Sequence, residues 1–148
     1  MKITIIGAGN MGGSTALGLA GYGAVSASDL TVTARHQTSL DRFIARGICA
    51  TTDNCAAVQD ADIVFYAVKP WQMEAVLKET APVLDYSRQM VVSIAPGIKP
   101  GQLKDWLAKD GSLFLESEIS FSGINDTAYR TPSCACSPAS ASSSSSAS

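Results

Sequence analysis

The 148-residue chain has little of what marks several large classes of protein. It carries no run of Lys and Arg, and 11 basic against 13 acidic residues leave a net charge of −2. A basic footprint for nucleic acid or an anionic membrane surface is therefore excluded. No window approaches the roughly 18 consecutive apolar residues of a membrane span. Lys2 followed by an apolar stretch imitates the start of a secretion signal, but Gly7, Gly9 and Asn10 interrupt it too early. A cytoplasmic protein is expected. Histidine occurs once, at His36, and the four cysteines show no metal-ligand spacing, so no metal site is expected. Cys49 and Cys55 flank a short loop and read as reduced packing residues. Cys134 and Cys136 form a C-x-C pair with no second pair or histidine near it.

Glycine, by contrast, is present in one informative arrangement. The apolar run Ile3-Thr4-Ile5-Ile6 leads into Gly7-Ala8-Gly9-Asn10-Met11-Gly12-Gly13, with Gly7, Gly9 and Gly12 at the spacing G-x-G-x-x-G. Each glycine has its own task. Gly7 permits the tight turn out of a strand, and Gly9 lets a pyrophosphate approach the backbone. Gly12 lets the next helix, Met11 to Tyr22, pack closely on the strand. The free N–H groups of that helix's first turn, with its dipole, then face the phosphates. Gly12, Ala16, Leu19 and Ala20 form its inner face, and Gly21 and Gly23 end it.

A second absence is as telling. An NAD-selective site places Asp or Glu at the end of the second strand, where it bonds the ribose hydroxyls. Here the strand Leu30–Ala34 runs into Arg35-His36-Gln37-Thr38, with no acid. Arg35 supplies a forked cation suited to a phosphate. NADP(H) is expected over NAD(H), against the plainer reading of Arg35 as a solvated loop charge. Thr38 or Ser39 is expected to cap a helix running to Arg46, closed by Gly47. Ile48–Ala50 follows as a short strand, and a small helix ends near Gln59. Asp60 and Asp62 read as turn and cap residues before the strand Ile63–Val68.

Lys69-Pro70 comes directly after that strand, and Pro70 suits the first position of a helix continuing through Glu79. Val76 and Leu77 face inward there, with Met73 or Thr80 completing the stripe, and Trp71 reads as a packed helix residue. Met90–Ile94 is a further strand, ending in the turn Ala95-Pro96-Gly97. Leu103, Trp106 and Leu107 mark one more amphipathic helix, closed by Asp110-Gly111, and Leu113–Leu115 reads as a last strand. Strands alternating with helices imply right-handed crossovers and a mostly parallel sheet. The expected fold is α/β, a Rossmann-type dinucleotide-binding domain over residues 1–115. Segment 116–130 is left unassigned, and 131–148 is expected to be a low-complexity disordered tail containing the serine run Ser142–Ser146.

Ile5-Ile6-Gly7-Ala8-Gly9-Asn10-Met11-Gly12, Ala67-Val68-Lys69-Pro70 and Val92-Ser93-Ile94-Ala95-Pro96-Gly97-Ile98 together resemble the N-terminal domain of pyrroline-5-carboxylate reductase. The resemblance covers roughly residues 1–115. It implies a small-molecule substrate, 1-pyrroline-5-carboxylate, whose C=N bond is reduced to give L-proline with hydride from NAD(P)H. It also implies phosphate contacts across Gly7, Ala8, Gly9, Asn10, Met11 and Gly12, and 2′-phosphate recognition near Arg35. Asn54 would make an adenosine-side contact. Ala67, Val68, Lys69, Pro70, Ala95 and Gly97 would line the nicotinamide half. Lys69 reads either as a charge near the nicotinamide ribose or as a solvated lysine at the strand's end, and no catalytic residue is assigned.

Two departures stand out. Pro96 replaces the alanine usual in the family and removes an N–H. After Leu115 the family's helical domain, which dimerises and forms much of the substrate pocket, finds no counterpart. A frame shift shortly after Leu115 is the expectation for that loss, and a non-catalytic NADP-binding remnant is the alternative to an active reductase. A related NADP-dependent oxidoreductase with another substrate is a third reading.

Overall fold

The computed structural model describes residues 1–107, together with the backbone of Glu118–Ile119 and Thr127–Arg130. Its centre is β1 (Ile3–Ile6), buried at every position. Ile3 and Ile5 enter one apolar cluster and Ile6 the other, so the strand is covered on both faces. Thr4 is buried as well, and its hydroxyl is satisfied by donating to the Ala57 carbonyl at 2.7 Å.

Four parallel strands flank β1. β2 (Leu30–Thr33) and β4 (Ile63–Tyr66) pair with it directly; β3 (Cys49–Thr51) lies outside β2, and β5 (Met90–Ser93) outside β4. The order β3-β2-β1-β4-β5 is extended by two antiparallel strands, β7 (Thr127–Arg130) against β5 and β6 (Glu118–Ile119) against β7. The sheet is thus mostly parallel, as expected, and the antiparallel pair occupies the segment the sequence left unassigned. The chain runs outward from β1 to β3 and then returns to β4 on the other side of β1. That reversal opens a crevice at the carboxyl ends of β1 and β4.

Helices α1 (Asn10–Gly21), α2 (Asp41–Ile44), α3 (Asn54–Gln59), α4 (Pro70–Thr80) and α5 (Pro100–Leu107) provide the covering layers. α1 ends as its glycines require. Gly23 takes φ +68°, and Gly23 N–H and Ala24 N–H return to the carbonyls of Ala20 and Leu19. On α4, Met73, Leu77 and Thr80 are buried, with Val76 packed beside them. Trp71 is instead 77% exposed, which corrects its reading as a packed residue: two positions before the buried Met73, it falls on the opposite face of the helix. Leu103 and Leu107 anchor α5 in the same cluster, and Trp106 packs against it.

The helix before Gly47 also differs from expectation. The chain makes a 3₁₀ turn over Gln37–Ser39, and α2 spans only Asp41–Ile44, with Leu40 at its N-cap and no side-chain cap. Burial of Leu40 and Phe43, both fully enclosed, decides where this backbone turns, rather than a hydroxyl of Thr38 or Ser39. The expected strand ends at Ala34, Ala67, Val68 and Ile94 lie past the regular ladder. Even so, the N–H groups of Ala34, Ala67 and Ile94 still reach the carbonyls of Thr51, Ile6 and Tyr66. The Asp110-Gly111 helix end, the Leu113–Leu115 strand and the tail 131–148 lie outside the described residues. Among the described residues no helix is long and apolar enough to cross a membrane.

Candidate functional site

Physical constraint is most concentrated where β1 meets α1. Gly7 sits at φ +105°, in the region L side chains avoid, and a Cβ there would lie 2.7 Å from the Ala67 carbonyl oxygen. A Cβ on Gly12 would collide with the Gly7 carbonyl oxygen and lie 2.9 Å from the Ala67 Cβ. Gly9 is the opposite case: a Cβ there would meet nothing within 4 Å. Gly7 and Gly12 are therefore required by the fold, whereas nothing in the protein needs Gly9 to be bare. The open side of Gly9, at the start of a helix, leaves room that fits a pyrophosphate.

The helix behind the loop suits an anion. α1 starts from Gly9 at the N-cap, without a side-chain cap and without an acid in its first turn. The N–H groups of Asn10, Met11 and Gly12 have no helical acceptor, and the positive end of the helix dipole is left uncompensated. Asn10 and Met11 are exposed beside it, Met11 at 60%. Ala8, by contrast, is buried.

The loops after the neighbouring strands gather at the same end of the sheet. Gly7 N–H donates to the Thr33 carbonyl at 3.1 Å and Ala67 N–H to the Ile6 carbonyl at 2.8 Å, which ties β2 and β4 to the turn. Ala67 packs against Gly12, and the Val68 Cγ1 lies 3.1 Å from the position of a Cβ on Gly7. Lys69 is exposed at the N-cap of α4 and Pro70 takes the first helical position. After β5, Ala95 is buried, and Pro96-Gly97 forms a turn with Gly97 at φ +79°. Proline followed by a glycine of positive φ is the type II pattern, so Pro96 is accommodated as a turn former.

On the other flank, Arg35 is exposed past β2 and has no hydrogen bond or ion pair among the described residues. Asn54 starts α3 behind the end of β2. Its Oδ1 accepts from the Thr33 hydroxyl at 2.6 Å, and its Nδ2 donates to Glu79 Oε2 at 3.3 Å. Asp53 caps α3 by accepting from Ala56 N–H at 2.9 Å. Cys55 beside it stays a thiol: burial, then the charges of Glu79 and Asp53, raise its pKa. Cys49 and Cys55 are both free.

One participant escaped the sequence reading. Arg42, on α2, reaches across to the glycine turn and donates from Nη2 to the Ala8 carbonyl at 2.7 Å. Gly13 makes room for it, since a Cβ there would lie 2.6 Å from that same nitrogen. The doubled glycine Gly12-Gly13 was the available signal.

A glycine turn opening a helix at the switch point of a parallel sheet defines an α/β dinucleotide-binding domain. The chain belongs to the family described as NADP oxidoreductase coenzyme F420-dependent, which matches residues 2–97. NADP, the cofactor expected from the residues, is the one that description carries. The resemblance to pyrroline-5-carboxylate reductases is also borne out. The chain is 35% identical over 107 residues to pyrroline-5-carboxylate reductase 3 of Danio rerio, covering 72% of this chain and 37% of that relative. It is 39% identical over 108 residues to the Vibrio alginolyticus pyrroline-5-carboxylate reductase, covering 72% and 39%. The solved pyrroline-5-carboxylate reductase of Coxiella burnetii superposes with a TM-score of 0.69 at 35% identity, over 73% of this chain and 40% of that one. The chain thus spans about two-fifths of the length of the relatives it matches, at 37% and 39% of the two curated ones.

Proposed function

We propose that this chain is the NADP(H)-binding part of a reductase of the pyrroline-5-carboxylate type, acting in proline biosynthesis in the cytoplasm. The observation that carries the reading is the contrast at the turn: Gly7 and Gly12 are bare because the fold fills their space, and Gly9 is bare facing none of it. When bound, NADPH supplies the hydride that reduces the C=N carbon of 1-pyrroline-5-carboxylate, with a proton added at nitrogen to give L-proline. The chain's own residues bind and orient. Gly7, Ala8, Gly9, Asn10, Met11 and Gly12 form the turn around the pyrophosphate, with Gly7 tied to Thr33 and the free N–H groups from Gly9 to Gly12 facing the phosphates. Arg35 pairs with the 2′-phosphate, and Asn54, held by Thr33 and Glu79, borders the adenosine. Ala67, Val68, Lys69, Pro70, Ala95 and Gly97 line the nicotinamide half, where Lys69 adds a positive charge.

NADPH titration followed by fluorescence, then NADPH oxidation with 1-pyrroline-5-carboxylate, tests both halves of this reading. Binding with turnover is expected of the reductase. Binding without turnover supports the alternative, a non-catalytic NADP-binding remnant, and no binding overturns both. Arg35→Ala is expected to weaken NADPH about tenfold while sparing NADH, the loss of one charge-assisted contact. An unchanged NADPH/NADH preference removes Arg35 from the site.

A further inference from the structure

Among the described residues, Arg42 is the one side chain from elsewhere in the fold that hydrogen-bonds to the dinucleotide turn. Its Nη2 donates to the Ala8 carbonyl at 2.7 Å, and its guanidinium lies over the Phe43 ring, 4.6 Å from the centroid. No carboxylate pairs with it among the described residues. The atom it holds belongs to the peptide between Ala8 and Gly9. A trans peptide is planar, so its C=O and N–H point in opposite directions. With the Ala8 carbonyl drawn back toward α2, the Gly9 N–H points away from Arg42, and it has no protein partner among the described residues. That N–H is at the bare residue where nothing lies within 4 Å of a Cβ.

We propose that Arg42 is a positioning residue for cofactor binding: by holding the Ala8 carbonyl, it fixes the Ala8–Gly9 peptide with the Gly9 N–H aimed at the pyrophosphate. The inference rests on the NADP(H) reading of the turn. Glycine allows rotation of the peptide that precedes it at little cost, so without a restraint this peptide samples orientations that turn the donor away. A cation on the carbonyl also polarises the peptide and makes its N–H a better donor to an anion. Because α2 follows directly on the segment that carries Arg35, the same contact joins the two loops expected to hold phosphates.

Gly13 provides a test that separates positioning from stability. A Cβ at Gly13 would lie 2.6 Å from Arg42 Nη2 and 3.3 Å from Phe43 Cζ. The first contact is with the end of a flexible side chain, which can swing away, and alanine is the better helix former. The enclosed Phe43 ring must also give by a few tenths of an ångström, so Gly13→Ala should change the melting temperature little while displacing Arg42 and weakening the cofactor.

The experiment is fluorescence titration of the full chain and its variants with NADPH and with NADH, alongside thermal melts. Arg42→Ala and Gly13→Ala are each expected to weaken both nucleotides by about tenfold and by the same factor, as for the loss of one charge-assisted hydrogen bond. Arg42→Lys should recover part of the loss. The double variant should bind no worse than Arg42→Ala alone, because both changes break one contact. Loss confined to NADPH means that Arg42 touches the 2′-phosphate itself, and overturns the positioning role. So do unchanged affinities in either variant, or a loss in Gly13→Ala matched by a fall in melting temperature. If the unsubstituted chain binds neither nucleotide, the reading of the site fails and the inference with it; if it binds and the variants bind equally well, only the inference fails.

Discussion

Gly9 and Gly12 differ by three positions and by the reason each must be glycine. A methyl group on Gly12 would meet the Gly7 carbonyl oxygen and the Ala67 side chain, both held in place by the sheet. Gly12→Ala is therefore expected to cost about 1–3 kcal/mol of stability, as overpacking does, and to abolish NADPH binding with it. Gly9→Ala meets no atom of the chain and loses only N-cap preference, about 1 kcal/mol or less. It should still weaken NADPH by at least about tenfold, because the methyl occupies the phosphate's side of the turn. Urea denaturation and NADPH titration on both variants separate the two cases. Equal stability losses, or full affinity in Gly9→Ala, would contradict the assignment. The spacing named all three glycines in advance and gave each its task. It could not show that Ala67, sixty residues on from Gly7, closes on both Gly7 and Gly12 and leaves neither room for a side chain.

Among the elements, α3 shows how a short helix is kept in place. It has too few residues to be stable alone and depends on its cap and its packing. Asp53 supplies the cap, the Ala57 carbonyl receives the buried Thr4 hydroxyl, and Ala57 and Val58 are buried. Asp53→Ala should lower stability by about 1 kcal/mol, read as a lower urea midpoint at unchanged slope. No change would mean that packing alone fixes the helix start. The end of this helix near Gln59 was legible from the residues, whereas the cap at Asp53 was not named in advance. For α2 the residues misled. Thr38 and Ser39 offer good caps, yet the chain follows Leu40 and Phe43 into the core, since burying a leucine and a phenylalanine contributes more than one surface cap. The five parallel strands were recognisable as apolar runs, with ends displaced by one or two residues, whereas β6 and β7 were not recognised.

Across the whole molecule, the face of the sheet carrying α4 and α5 is held partly by tyrosine hydroxyls in apolar surroundings. Tyr66 is fully buried against Thr80, its oxygen 2.6 Å from the Thr80 hydroxyl oxygen, and burial raises its pKa well above the ordinary tyrosine value. Tyr86 donates to the Leu107 carbonyl at 2.7 Å, and burial pushes it up to about 12. In the unfolded chain both ionise near about 10. Folded values above the unfolded ones mean that this stability is complete below about pH 10 and is lost as pH rises toward the folded values. The urea midpoint should fall steeply between about pH 10 and pH 12, and Tyr66→Phe should reduce that slope. A midpoint flat across this interval would contradict the burial of both hydroxyls.

What the sequence determined by itself is the local chemistry: where strands end in glycine, where an acid is missing after β2, and hence which cofactor suits the chain. Those features depend on neighbours within a few residues, and local spacing records them. The tertiary structure alone decided which distant residues meet at the turn. Ala67 closes on Gly7 and Gly12, Asn54 is tied to Thr33 and Glu79, and Arg42 holds the Ala8 carbonyl, because parallel pairing brings together strand ends far apart in the chain.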